Sequence, residues 1–164
     1  MTQLIALAKQ VKRRLGKLAK PKPFVSKTRR IERVATTARI CAMTFDDGPS
    51  ARTDEILEIL DKYGVKATFF VVGANEEGDL ERMQKIVAAG HTLAIHSYSH
   101  DYKKIYASVE AYLEDFNQMF CQIYEAPGVK PQIFRFPGGS VNSYNVGIHQ
   151  QLILSLIHIS EPTR

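Results

Sequence analysis

The chain has 164 residues, 45% hydrophobic and 24% charged, with a formal net charge of +5. That length and apolar content fit one domain with a real core, and the composition is that of an ordinary soluble globular protein. No run of about 18 apolar residues exists, so no transmembrane helix is expected within this sequence.

The net charge conceals an asymmetry. Residues 1–33 hold 11 of the 22 Lys and Arg and a single acid, Glu32, whereas the remainder is net acidic. Within this basic stretch Leu4, Leu7, Val11, Leu15 and Leu18 recur at helical spacing, with Lys9, Lys12, Arg13, Arg14 and Lys17 between them. Pro21 and Pro23 end the pattern. The stretch reads as a basic amphipathic helix and linker over 1–37. A solvated helix, contact with an anionic membrane surface through residues 1–33 and a nucleic-acid arm all suit such charge, and no nucleic-acid partner is expected for the whole chain. The bases follow the apolar residues, and no small-residue cleavage site comes after them, so the stretch does not read as a signal peptide.

From residue 39 strands and helices alternate. RICAMTF (39–45) predicts a strand and TDEILEILDKYG (53–64) an amphipathic helix closed by Gly64. KATFFVV (66–72) predicts a second strand, and GDLERMQKIVAAG (78–90) a helix with its acids early and glycine at its end. TLAIH (92–96) predicts a third strand, residues 108–126 a long helix, QIFRF (132–136) a fourth strand, and SYNVGIHQQLIL (143–154) the start of a fourth helix. Such alternation means βα units around a parallel sheet. Cys41 and Cys121 fall in apolar runs and show no metal-ligand spacing. They read as buried thiols, with a bridge between them left open.

In parallel α/β folds the functional groups gather beyond the carboxyl ends of the strands. Asp46 and Asp47 follow the first predicted strand, His96 and His100 the third, and Arg135 and Pro137 end the fourth. All of them fall on one edge of the sheet. In HSYSH (96–100), two histidines four apart lie on one face of a helical turn, about 5–6 Å between Cβ atoms. Two histidines and a carboxylate make a common open metal site. One Asp of the pair can then bind the metal while the other stays free as a general base. An acidic turn capping the next helix would explain one Asp, not two. Arg135, ending an apolar strand, suits a carboxylate partner from the pair or a surface position. Gly138 and Gly139 permit close backbone approach for a turn or a ligand.

TFDDGP (44–49), HSYSH (96–100) and FRFPGGS (134–140) resemble, in order and spacing, the first three motifs of the polysaccharide deacetylases, the NodB homology domain of carbohydrate esterase family four. The resemblance covers residues 38–153. It implies a distorted (β/α) barrel, here incomplete with about four βα units, and hydrolysis of N-acetyl or O-acetyl groups on a polysaccharide such as peptidoglycan, a chitin-like glycan or acetylated xylan. It implies Asp46 as general base on metal-bound water. Asp47, His96 and His100 would be ligands of one divalent ion: zinc, or cobalt, nickel or manganese. Arg135 would hold the catalytic Asp, and Pro137, Gly138, Gly139 and Ser140 would wall the substrate groove. The substrate class implies the cell envelope or an extracellular location. Neither sequence nor resemblance fixes an oligomeric state.

The chain also departs from the family. The fourth and fifth motifs, which carry a Trp and the His that protonates the leaving amine, are not found: there is no Trp, and neither His149 nor His158 matches the fifth motif. His91, at the start of a strand, suits a structural role. LSLIHISEPTR (154–164) reads as a non-native tail on a truncated domain, which predicts an exposed edge strand and weak or no activity. A non-catalytic metal- or glycan-binding domain is the alternative.

Overall fold

The computed structural model describes residues 41–158. The basic helix expected over 1–37 and residues 159–164 of the expected tail lie outside that range. Three strands, β1 (Met43–Gly48), β2 (Ala67–Val71) and β3 (Thr92–Ile95), pair in parallel in the order β1-β2-β3. Between and after them run α1 (Thr53–Lys62), α2 (Asp79–Ala88), α3 (Tyr102–Ile105), α4 (Val109–Glu125) and α5 (His149–His158). The α/β alternation is as the sequence predicts, and the first two helices are followed by the expected glycines, Gly64 and Gly90, at φ +63° and +76°.

Register divides the sheet into two faces. Phe69, Val71, Leu93 and Ile95 are buried in one core with Met83 and Ile86 of α2, Phe116, Met119 and Ile123 of α4, and Leu152 and Leu156 of α5. On the other face Thr44, Thr68 and Thr92 form one cross-strand row, and Asp46, Phe70 and Ala94 the next. The aliphatic and aromatic face fixes the helices; the polar face is free to carry chemistry.

Five local expectations are corrected. β1 begins later and ends later than 39–45, running through both aspartates to Gly48. The strand expected at 132–136 contributes only a parallel bridge, Phe134 to Ile95, with Ile95 N donating to Ile133 O and Arg135 N to Ile95 O. Pro131 and Pro137 bracket it, and neither has an N–H to extend a ladder. The last helix starts at His149, not at 143. Before it, Asn142 Oδ1 accepts from the amides of Tyr144 (2.8 Å) and Asn145 (3.1 Å), and Asn145 Oδ1 accepts from Asn142 N (2.8 Å). Such side-chain bonds compete with a helix. The same helix continues past 154 to His158, because Leu152 and Leu156, four apart, share its buried face. The two cysteines are free, and Cys41 is exposed while Cys121 is half-buried. Among the described residues no helix is long and apolar enough to cross a membrane.

Candidate metal centre and active site

Consecutive residues of a regular strand point to opposite faces, so an Asp-Asp pair should be split by the sheet. β1 resolves this with a bulge. Asp46 pairs with Phe70 and Gly48 with Val71, so Asp47 is skipped, with φ +66°. A bulge re-aims the side chain it carries. Asp46 stays in the row of Phe70 and Ala94, and Asp47 reaches the histidine loop.

Arg135 crosses β2 to meet Asp46. Its guanidinium carbon lies 4.1 Å from the centre of the Phe70 ring, and Nη1 donates to Asp46 Oδ1 at 2.6 Å and to Thr44 Oγ1 at 3.2 Å. A planar cation on an aromatic face with carboxylate and hydroxyl acceptors is a site that suits Arg and not Lys.

His96 directly follows β3 and is buried. Its Nδ1 lies 2.8 Å from the Arg135 carbonyl. A carbonyl only accepts, so Nδ1 carries the proton and the Nε2 lone pair points outward. Burial pushes the His96 pKa below its ordinary value and favours the neutral ring a metal requires. Nε2 of His96 and Nε2 of His100 both lie 3.1 Å from Asp47 Oδ1. His100 Nε2 is nevertheless buried without a hydrogen-bond partner: the approach is close, but the geometry is not that of a hydrogen bond. One donor atom from each of Asp47, His96 and His100 lies within 4.8 Å of the others. A carboxylate oxygen and imidazole nitrogens converging in this way repel unless a proton or cation lies among them. The His₂–carboxylate set therefore fits a divalent ion and leaves a coordination position open.

The histidine segment is not the helical turn that the spacing predicts. Residues 96–100 form an irregular loop, and His100 has φ +54°. Two residues that sequence reasoning passed over shape it. Gly73 N donates to the Tyr98 carbonyl at 3.0 Å, and a Cβ at Gly73 would overlap that same oxygen. Asp115, buried on α4, accepts from Ser97, Tyr98 and Ser99. The signal for Asp115 was present: an acid at helical spacing with Tyr112, Phe116 and Met119 stands on an apolar face and needs partners.

The third motif divides. Pro137 is fully buried, its carbonyl accepting from Tyr106 Oη (2.7 Å) and Asn142 Nδ2 (3.1 Å). It therefore shapes the loop from beneath and offers no wall to a ligand, contrary to expectation. Burial raises the Tyr106 pKa to about 12, so it stays a donor. Gly138, Gly139 and Ser140 are exposed. At Gly138 (φ +73°) a side chain would press on Tyr102 and Asn142 at 3.0–3.3 Å. His91 accepts from Ala67 N at 3.2 Å at the opposite end of the strands, and His149 packs against Phe136 of the aromatic core. Neither joins the centre.

A polysaccharide deacetylase family model matches residues 33–156. The peptidoglycan-N-acetylglucosamine deacetylase of Bacillus cereus is 31% identical over 133 residues, which cover 81% of this chain and 48% of that protein. The catalytic domain of peptidoglycan N-acetylglucosamine deacetylase from Eubacterium rectale is 42% identical with a TM-score of 0.67, over 71% of this chain and 55% of that one. A family 4 acetyl xylan esterase from Clostridium thermocellum, solved with a cobalt ion, is 34% identical with a TM-score of 0.54, over 59% of this chain and 48% of that one. The chain thus spans about half the length of these relatives.

Proposed function

Because this chain belongs to the polysaccharide deacetylase family, we propose that it carries the hydrolytic centre of a metal-dependent deacetylase. The reaction is removal of N-acetyl, or O-acetyl, groups from a polysaccharide, with peptidoglycan or a chitin-like glycan as the substrate class. Asp46 is the general base, and Asp47, His96 and His100 hold one divalent ion, zinc in the first instance.

The observation that carries this reading is the division of two adjacent carboxylates. Asp47 Oδ1 faces both imidazoles at 3.1 Å, while the ion pair of Asp46 is with Arg135. A divalent cation held by Asp47, His96 and His100 would polarise the acetyl carbonyl and lower the pKa of a ligated water. The remaining work falls to the chain's own groups. Arg135 takes Oδ1 of Asp46, which leaves Oδ2 to accept the proton of the attacking water. His96, neutral and locked by the Arg135 carbonyl, keeps its Nε2 lone pair directed at the site. Gly138 and Gly139 give the glycan a wall without side-chain bulk, and Ser140 adds a hydroxyl beside them. The peptidoglycan enzymes among the relatives support that polymer as substrate.

The test is acetate release from N-acetylglucosamine oligomers and peptidoglycan fragments, with zinc supplied and then removed by a chelator. Release that chelation abolishes and Asp46→Asn suppresses supports the proposal. Zinc binding with no acetate release from any of these glycans favours the non-catalytic metal- or glycan-binding reading.

A further inference from the structure

Asp115 sits on the core face of α4 between Tyr112 and Phe116, with 8% of its surface exposed. Burying a carboxylate among aromatic rings is costly unless hydrogen bonds satisfy it. Its bonds all go to one place. Oδ2 accepts from Ser97 Oγ (2.7 Å) and Tyr98 N (2.7 Å), and Oδ1 accepts from Ser99 N (2.8 Å). Ser97 Oγ gives its own proton to Asp115 and accepts from His100 N at 2.9 Å. Every residue between His96 and His100 is therefore bonded to a single side chain, and the His100 backbone hangs from that set. On the other side of the loop, the Tyr98 carbonyl is held by Gly73 N. His100 has φ +54°, a backbone state that non-glycine residues keep only where their surroundings impose it.

We infer that Asp115 is the positioning residue of the metal centre: through Ser97, Tyr98 and Ser99 it imposes the loop conformation that aims His100 Nε2 at Asp47. The inference rests on Asp47, His96 and His100 being the cation ligands. It goes beyond that reading by assigning their geometry to a carboxylate outside the ligand set. The chemistry dictates which substitution is informative. Asp115→Asn preserves size but replaces one acceptor oxygen with an NH₂ group, which must face either Ser99 N–H or the Ser97 and Tyr98 donors. Loss of such supporting partners typically weakens a metal site by about 10–100-fold.

The experiment is a zinc titration of the 164-residue chain by calorimetry, with the visible absorption spectrum of the cobalt-loaded chain alongside it. Wild type, Asp115→Asn, Ser97→Ala and the double variant are compared, with far-UV circular dichroism to establish folding. Asp115→Asn is expected to bind zinc about 10–100-fold more weakly and to shift the cobalt spectrum while remaining folded. The double variant should lose less than the sum of the single losses, because both changes act on one contact. A part in packing alone would lower the melting temperature and leave zinc affinity and the cobalt spectrum of the folded chain unchanged; that result overturns the inference. If Asp115→Asn does not fold, Ser97→Ala decides on the same two readouts. A folded wild type that binds no zinc overturns the ligand assignment and this inference with it, whereas wild-type affinity in the variants overturns this inference alone.

Discussion

Arg135 Nη1 lies 2.6 Å from Asp46 Oδ1 although 89 residues separate them, and the same Arg135 presents its carbonyl to His96 Nδ1 at 2.8 Å. One residue thus serves both halves of the site, its side chain holding Asp46, the proposed base, and its backbone carbonyl holding His96, a proposed metal ligand. Those two duties separate under mutation, because substitution changes only the first.

Arg135→Lys should therefore leave zinc affinity close to wild type and reduce acetate release. Lys cannot stack a planar cation on Phe70 while the same nitrogen reaches Thr44 and Asp46. A lost hydrogen bond to a charged group corresponds to about 1.5–3 kcal/mol, or roughly 10–150-fold in rate. Calorimetry and an acetate assay on one preparation check both halves of the expectation.

The two aspartates should also part company. Asp47→Asn removes the anionic oxygen between the imidazoles, and zinc binding should be lost. Asp46→Asn should keep zinc bound and lower kcat by about 10²–10⁴-fold, the range for loss of a general base. Equal loss of zinc in both variants would contradict the division of roles.

Gly73→Ala places a methyl group against the Tyr98 carbonyl, a backbone atom that can give way only if the histidine loop moves. Overpacking of this kind costs about 1–3 kcal/mol. Denaturant unfolding should show that loss, and zinc affinity should fall with it because the loop carries His96 and His100.

His91 gives a pH dependence. Burial first, and Lys66 second, lower its pKa below 6.5, and its Nδ1 accepts from Ala67 N. The unfolded chain therefore binds this proton more readily than the folded one. The contribution is fully present above pH about 6.5 and is lost as pH falls below that through the folded value. Unfolding midpoints measured from pH 7.5 downward should decline, and His91→Gln should flatten the decline. The His96 pKa is lowered in the same direction and leaves a residual slope.

The sequence by itself determined the alternation of strands and helices and the gathering of Asp46, Asp47, His96, His100 and Arg135 at one sheet edge. Hydrophobic periodicity and glycine punctuation are local properties, and parallel βα topology sends every strand end to the same side. Its motifs were specific enough to suggest the family. Only the tertiary structure decided how those residues meet. Two consecutive aspartates could serve different partners only through a bulge at Asp47, which depends on the register of β1 against β2. HSYSH became a loop because hydrogen bonds from a helix 15 or more residues away, through Asp115, outweigh the turn its spacing suggests. Pro137 went inward because Tyr106 claimed its carbonyl from 31 residues back, and α5 ran on to His158 because Leu156 found the core. Each of these outcomes rests on a contact between residues distant in the chain, and such contacts exist only once the chain has folded.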